Sequence, residues 1–239
     1  MNKGKLFLVP SALSEFAPST FLPNASKKMV FALDYFIAER AKTARQYLKS
    51  IGHPKPMSEL NISELNKHEE DDLLELLSPC LEGKDVGLLS EAGAPGVADP
   101  GGVIVKKAHA LGIEVMPLVG PSSLLLALMA SGMNGQQFAF HGYLAKDESQ
   151  MAQQLKSLEA ESRAKSVTQM FIETPFRNLK MMDILLKHLN AKTYLCAASN
   201  LTAQDQQIIS KTVEDWKKMK INFDRKPTVF LIYCGELKS

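Results

Sequence analysis

Two short stretches of this chain have the composition of loops that hold a ligand against main-chain atoms. Ser90 to Gly102 reads S-E-A-G-A-P-G-V-A-D-P-G-G and directly follows the apolar run Val86-Gly87-Leu88-Leu89. Its four glycines and two prolines fix unusual backbone angles and let a ligand approach N–H and C=O groups that bulkier side chains would cover. A second stretch, Leu118-Val119-Gly120-Pro121-Ser122-Ser123, follows the apolar segment Glu114 to Pro117 and opens a helix, whose free N–H groups suit an anion or a ligand oxygen. Either loop by itself is also what a tight strand-to-helix turn looks like. Two of them at successive strand ends place a site at the carboxyl edge of a sheet.

The charged residues near these loops have two readings each. Asp99, between Ala98 and Pro100, either caps backbone N–H groups as an Asx turn or faces a ligand's amino group. Glu91 is a solvated carboxylate or a ligand contact. Glu173, just before Thr174-Pro175, either orients a substrate or receives Arg177 in an ion pair. Arg40 and Arg45 flank a helix start, where they bind phosphate or stand in solvent. Cys80, Cys196 and Cys234 form no C-x-x-C pair and read as small buried groups of a reducing compartment. The five histidines have no metal-ligand spacing, so no metal is expected.

The elements that must position these residues follow from periodicity and breakers. Strands are expected at Lys5–Val9, Tyr35–Ala38, Met57–Leu60, Val86–Leu89 and Glu114–Pro117. Helices are expected between them at Ala25–Leu33, Ala41–Ser50, Lys67–Leu81 and Gly102–Leu111. Such repeated β-α-β order builds a largely parallel sheet. Ser122–Ala130 is apolar nearly all round and reads as a buried core helix. After a strand at Phe138–Tyr143 the apolar content collapses, which puts a domain boundary near residue 145 and divides the chain into α/β domains 1–145 and 146–239. The second half alternates helices with strands, and the short polar link between Thr193–Ala198 and Gln206–Ser210 suggests antiparallel pairing. Length (239 residues), 45% hydrophobic and 23% charged residues describe an ordinary globular protein. No apolar run is long enough to span a bilayer, so a cytoplasmic protein is expected. A net charge of +2 requires any nucleic-acid contact to come from a local basic face.

Taken together, Leu6–Pro10, Glu39-Arg40 through Arg45, Ser90–Gly101, Gly120-Pro121-Ser122, Phe138–Leu144, Phe171–Arg177 and Asn200-Leu201-Thr202 make the chain resemble the tetrapyrrole methylase superfamily of S-adenosylmethionine-dependent methyltransferases. Within it the chain is similar to the branch that methylates a ribose 2′-oxygen of a cytidine in small-subunit ribosomal RNA. The resemblance implies two α/β domains with the cofactor in a cleft between them. It implies cofactor contacts from Pro10 and Ser11, from Gly93, Ala94, Pro95, Val97, Ala98 and Asp99, and from Pro121, Ser122 and Ser123. From the second domain it implies Glu173, Thr174, Ala198, Asn200 and Leu201, while Arg40, Arg45 and Arg177 are the candidates for substrate contact. A homodimer is also implied, with ribosomal RNA or the small ribosomal subunit as partner and no membrane.

The substrate side departs from that branch. Its T-P-I-G-N is here Pro10-Ser11-Ala12-Leu13-Ser14, its E-D-T-R is Glu39-Arg40-Ala41-Lys42, and its E-L-T-K is Asn200-Leu201-Thr202-Ala203. Methylation of a tetrapyrrole or another small molecule, and cofactor binding without catalysis, therefore stand beside RNA methylation as readings of the sequence. Methyl transfer from a sulfonium needs positioning more than side-chain chemistry, and no single catalytic residue is assigned.

Overall fold

The computed structural model describes residues 2–14, 21–65, 70–220 and 223–235. The chain divides into two compact units, Met1–Ser122 and Ser123–Ser239.

The first unit is a five-stranded sheet of β1 (Leu6–Val9), β2 (Tyr35–Ala38), β3 (Asn61–Glu64), β4 (Val86–Leu89) and β5 (Val115–Pro117), in the order β3-β2-β4-β1-β5. Every pairing in it is parallel. Side chains alternate between two cores. Phe7, Val9, Phe36, Ala38 and Leu89 point to the face covered by α1 (Asn24–Phe31) and α2 (Ala41–Ser50). Leu6, Ile37, Val86 and Leu88 point to the face covered by α3 (Glu70–Leu81) and α4 (Gly102–Ala110). Parallel strands buried on both faces explain why V-G-L-L and L-F-L-V read as unbroken apolar runs. The neighbours β1 and β4 send their chains to helices on opposite faces, so a crevice opens between their carboxyl ends.

The strand expected at Met57–Leu60 is a turn, and β3 lies one step later, at Asn61–Glu64. Leu60 is buried and Met57 packs on the same core from within the turn. The polar N-I-S-E run pairs with β2 at the sheet edge, where alternation is not enforced by burial. Of the helix expected from Lys67, residues 67–69 lie outside the described ones and the remainder forms α3.

The second unit begins with α5 (Ser123–Ser131) and contains β6 (Phe138–Tyr143), α6 (Glu148–Lys165), β7 (Thr168–Glu173), α7 (Asn178–His188), β8 (Tyr194–Ser199), β9 (Gln207–Thr212), α8 (Val213–Trp216) and β10 (Thr228–Tyr233). Its sheet runs β6-β7-β10-β8-β9. β6 and β7 are parallel, and the other pairs, including the expected β8–β9 pair, are antiparallel. Phe171, Leu185, Leu195, Trp216 and Phe230 centre the core, and the Trp216 indole N–H donates to the Leu195 carbonyl at 2.7 Å.

Two expectations are corrected here. The division falls after Ser122 and not near residue 145, because α5 packs on β8, β9 and β10 while β6 pairs with β7. The polar tract after Tyr143 is only the connection into α6, capped by Asp147, which accepts from the Gln150 N–H. Nor is α5 buried all round. Ala127 and Leu128 enter the core, but Leu125 and Met129 stand exposed. Among the described residues no helix is long and apolar enough to cross a membrane.

Candidate functional site

Three loops of the first unit meet at the carboxyl ends of β1, β4 and β5. Ser11, just past β1, and Gly93, past β4, form an antiparallel bridge. The Ser11 N–H donates to the Gly93 carbonyl at 2.8 Å and the Gly93 N–H to the Ser11 carbonyl at 3.1 Å. The Ser11 hydroxyl donates to the Ser90 carbonyl at 2.7 Å, and the Ser90 hydroxyl donates to the Gly93 carbonyl at 3.1 Å. The third loop closes against the first at Gly120, where a Cβ would lie 2.3 Å from Cβ of Pro10. Only glycine permits that approach. From the helix side, the Tyr47 hydroxyl on α2 donates to the Pro10 carbonyl at 2.6 Å, and burial pushes its phenol up to about 12. It is therefore a neutral, permanent donor at physiological pH.

Asp99 braces the middle loop. Its carboxylate accepts from the Gly96 N–H at 2.8 and 3.0 Å through its two oxygens, and from the Gly101 N–H at 2.7 Å. These charge-assisted bonds hold Gly96 at φ +81° and Ala98 at φ +61°, a left-handed conformation that alanine adopts at a cost of about 1–2 kcal/mol. Of the two readings of Asp99, the loop brace is the one its bonds support. Around it Gly96, Val97 and Ala98 are exposed, Ala94 is half-buried and Pro95 is buried. Pro121 and Ser122 end the first unit half-buried, and Ser123 begins α5, whose first-turn N–H groups have no intrahelical acceptors. Small side chains and offered main-chain groups are what the adenine and the amino-acid end of S-adenosylmethionine require, so the cradle fits that cofactor.

An open pocket of about 480 Å³ lies beside this cluster on the α2 side, lined by Ser11, Thr43, Gln46, Tyr47, Ser90 and Glu91 among others. Sequence reasoning named neither Tyr47 nor Ser90 as a site residue. Tyr47 was legible only as one aromatic on an amphipathic helix, and its bond to Pro10 joins residues 37 positions apart.

The candidates in the second unit are less uniform. Glu173 accepts from the Thr174 N–H at 2.7 Å and the Thr174 hydroxyl at 3.3 Å, and its other oxygen lies 3.2 Å from Nε of Arg177. Arg177 also donates to the Lys146 carbonyl at 3.3 Å. The ion-pair reading of Glu173 is thus the observed one, and it engages Arg177 as well. Ala198 is fully buried inside β8, paired with Val229 on one side and Ile208 on the other, so its side chain and ladder groups are occupied. Leu201 is buried. Asn200, at φ +50°, donates its N–H to the Pro227 carbonyl at 2.8 Å and its side-chain amide to Asp205. Thr174 is exposed. In the first unit Arg40 and Arg45 are exposed, and neither has an ion pair with a described acidic residue.

Known proteins resemble this chain in sequence and in fold. Residues 27–217 match the family model described as Tetrapyrrole (Corrin/Porphyrin) Methylases. The chain is 29% identical over 238 residues to a protein of Escherichia coli O157:H7 named ribosomal RNA small subunit methyltransferase I, covering 98% of this chain and 79% of that one. The fold is similar to the crystal structure of the methyltransferase CobJ, with a TM-score of 0.63 at 18% identity over 96% of this chain and 94% of the other. It is similar also to a cobalt precorrin-4 methyltransferase, CbiF, with a TM-score of 0.62 at 16% identity over 96% and 94% of the two chains.

Proposed function

Because the chain belongs to the tetrapyrrole (corrin/porphyrin) methylase family, we propose that it is an S-adenosylmethionine-dependent methyltransferase whose acceptor is a ribose 2′-oxygen of small-subunit ribosomal RNA. The observation that carries the RNA reading is the similarity, along 98% of this chain, to a relative named for that substrate. A cytoplasmic homodimer acting on the small ribosomal subunit belongs to the same proposal.

When bound, the cofactor supplies a methyl group already activated for in-line displacement. The protein's part is to orient. The Ser11–Gly93 bridge, the Asp99 brace and the Gly120–Pro10 contact hold three loops in one arrangement before any ligand arrives. Where a protein holds both reactants in line, that alignment is worth up to about 7–11 kcal/mol of barrier. Gly93, Ala94, Pro95, Val97, Ala98, Pro121 and Ser122 form the cradle. Ser123, Glu173, Thr174, Ala198, Asn200 and Leu201 are the further proposed contacts. Of Glu91, Asp99 and Glu173, Asp99 is bonded to the Gly96 and Gly101 N–H groups and Glu173 is paired with Arg177. Glu91, exposed at the pocket wall, is the one free to take the proton of a reacting hydroxyl.

The test is transfer of labelled methyl from S-adenosylmethionine to small ribosomal subunits purified from a strain lacking this protein, with calorimetry for the cofactor alone. Label in RNA at a ribose is the expected result. An absence of heat and of thermal shift at cofactor concentrations above about 1 mM removes the cofactor assignment. Label in a small molecule but not in RNA removes the substrate.

A further inference from the structure

α2 carries an unbalanced basic ridge along the edge of the open pocket. From Arg40 to Ser50 the chain holds Arg40, Lys42, Arg45 and Lys49 and no acidic residue, and all four cations are exposed. None has an ion pair with a described acidic residue, whereas Lys5, Lys55, Lys84, Lys165 and Lys187 all do. Glu64, the described carboxylate bonded to this helix, is spent on its amino terminus, where it accepts the Ala41 N–H at 2.7 Å. At about 100° per residue, Lys42, Arg45 and Lys49 fall within roughly 60° of one another on the helix. The pocket-lining residues of the helix, Gln46, Ser50, Thr43, Tyr47 and Ala44, begin at Gln46, about 40° round from Lys42, and continue away from the cations, while Ala41, Ala44 and Leu48 are buried. The ridge is about 10 Å long from Lys42 to Lys49 at 1.5 Å per residue. A stacked strand passes about three phosphates in that distance, taking roughly 3.4 Å per step.

We propose that this ridge is the phosphate-binding surface for the RNA, holding the sugar–phosphate backbone of a single strand along α2 so that a nucleotide of that strand faces the polar pocket beside it. The inference rests on the RNA reading above and deepens it. Charge complementarity selects the occupant: exposed cations that have no ion pair with a described acidic residue suit a polyanion, and the part of the pocket wall nearest them presents the Gln46 amide and the Ser50 hydroxyl. Arg177 is excluded from the surface by its pair with Glu173.

The test compares the full chain with the triple variant Lys42→Gln/Arg45→Gln/Lys49→Gln and with a control, Lys106→Gln/Lys156→Gln/Lys192→Gln, that removes the same charge from exposed positions elsewhere. Binding of a fluorescent single-stranded RNA is followed by anisotropy between 50 and 200 mM salt, and cofactor affinity and far-UV dichroism are measured alongside. Removing three phosphate contacts flattens the slope of log K against log salt by about 2, since each contributes about 0.7 on a single strand. Over that fourfold salt range the wild type then loses about twentyfold more affinity than the triple variant, with cofactor affinity preserved. The single variant Arg45→Gln takes about one third of the slope change and guards against a folding defect in the triple. An unchanged slope in the triple variant, or an equal change in the control, overturns the ridge. If the wild type labels ribosomal RNA while the triple variant keeps its slope, only the ridge fails. If the wild type neither binds nor labels RNA, the RNA reading fails and the ridge with it.

Discussion

Replacing Gly120 with alanine separates the closure of the three loops from everything else in the first unit. A Cβ at position 120 would stand 2.3 Å from Cβ and 2.4 Å from Cγ of Pro10. Carbon atoms rest at about 3.5–4.0 Å, so the third loop must retreat from the first by more than about 1 Å. Pro10 cannot swing aside, because its ring is rigid and its carbonyl is held by the Tyr47 hydroxyl at 2.6 Å. Overpacking of this kind costs about 1–3 kcal/mol. If the loss falls on the cofactor-binding arrangement, affinity for S-adenosylmethionine drops about five- to 150-fold at 1.4 kcal/mol per decade. Two comparators isolate the cause. Gly96→Ala meets no atom within 4 Å but stands at φ +81°, so it carries backbone strain of about 1–2 kcal/mol without a clash. Gly102→Ala has open space and begins α4, so it leaves both affinity and melting temperature unchanged or slightly improved. Calorimetric titration with the cofactor and thermal melting of the four proteins give the answer. A Gly120→Ala protein with wild-type affinity and melting temperature refutes the closure.

Three further outcomes are expected. Asp99→Asn puts an amide where two backbone N–H groups converge, replaces one acceptor oxygen by a donor, and weakens cofactor binding by about 1–3 kcal/mol, while the single-turnover rate at saturating cofactor changes far less; a thousandfold loss of that rate with binding intact would instead make Asp99 a base. Arg177→Gln leaves the nearly buried Glu173 carboxylate without its cation and lowers stability by about 1–3 kcal/mol, read by denaturant melts, with no change in the salt slope of RNA binding; a changed slope would return Arg177 to the substrate surface. Tyr47→Phe withdraws the donor from the Pro10 carbonyl and costs about 0.5–1.5 kcal/mol, seen as a lower melting temperature, and a protein as stable as the wild type would show that this bond does not hold the loop.

The parallel β-α-β order of the first half was legible because both faces of its sheet are buried, which leaves apolar strands such as V-G-L-L between turn residues. β2, α2, β4 and β6 lie where periodicity puts them. The two Gly/Pro loops were legible for a related reason, since residues that exclude side chains announce where backbone is to be reached. β3 was not, because an edge strand with polar residues has no alternation to read, and neither was the division at Ser122, because a run of apolar residues in α5 does not say which sheet it will cover. Sequence also left Asp99, Glu173 and Arg177 with two roles each. Which bonds they make within the chain was decided by tertiary distances: a carboxylate's partners depend on which N–H groups and cations the folded backbone brings within about 3 Å, and partners such as Tyr47 and Pro10 become neighbours only after the strands between them have paired.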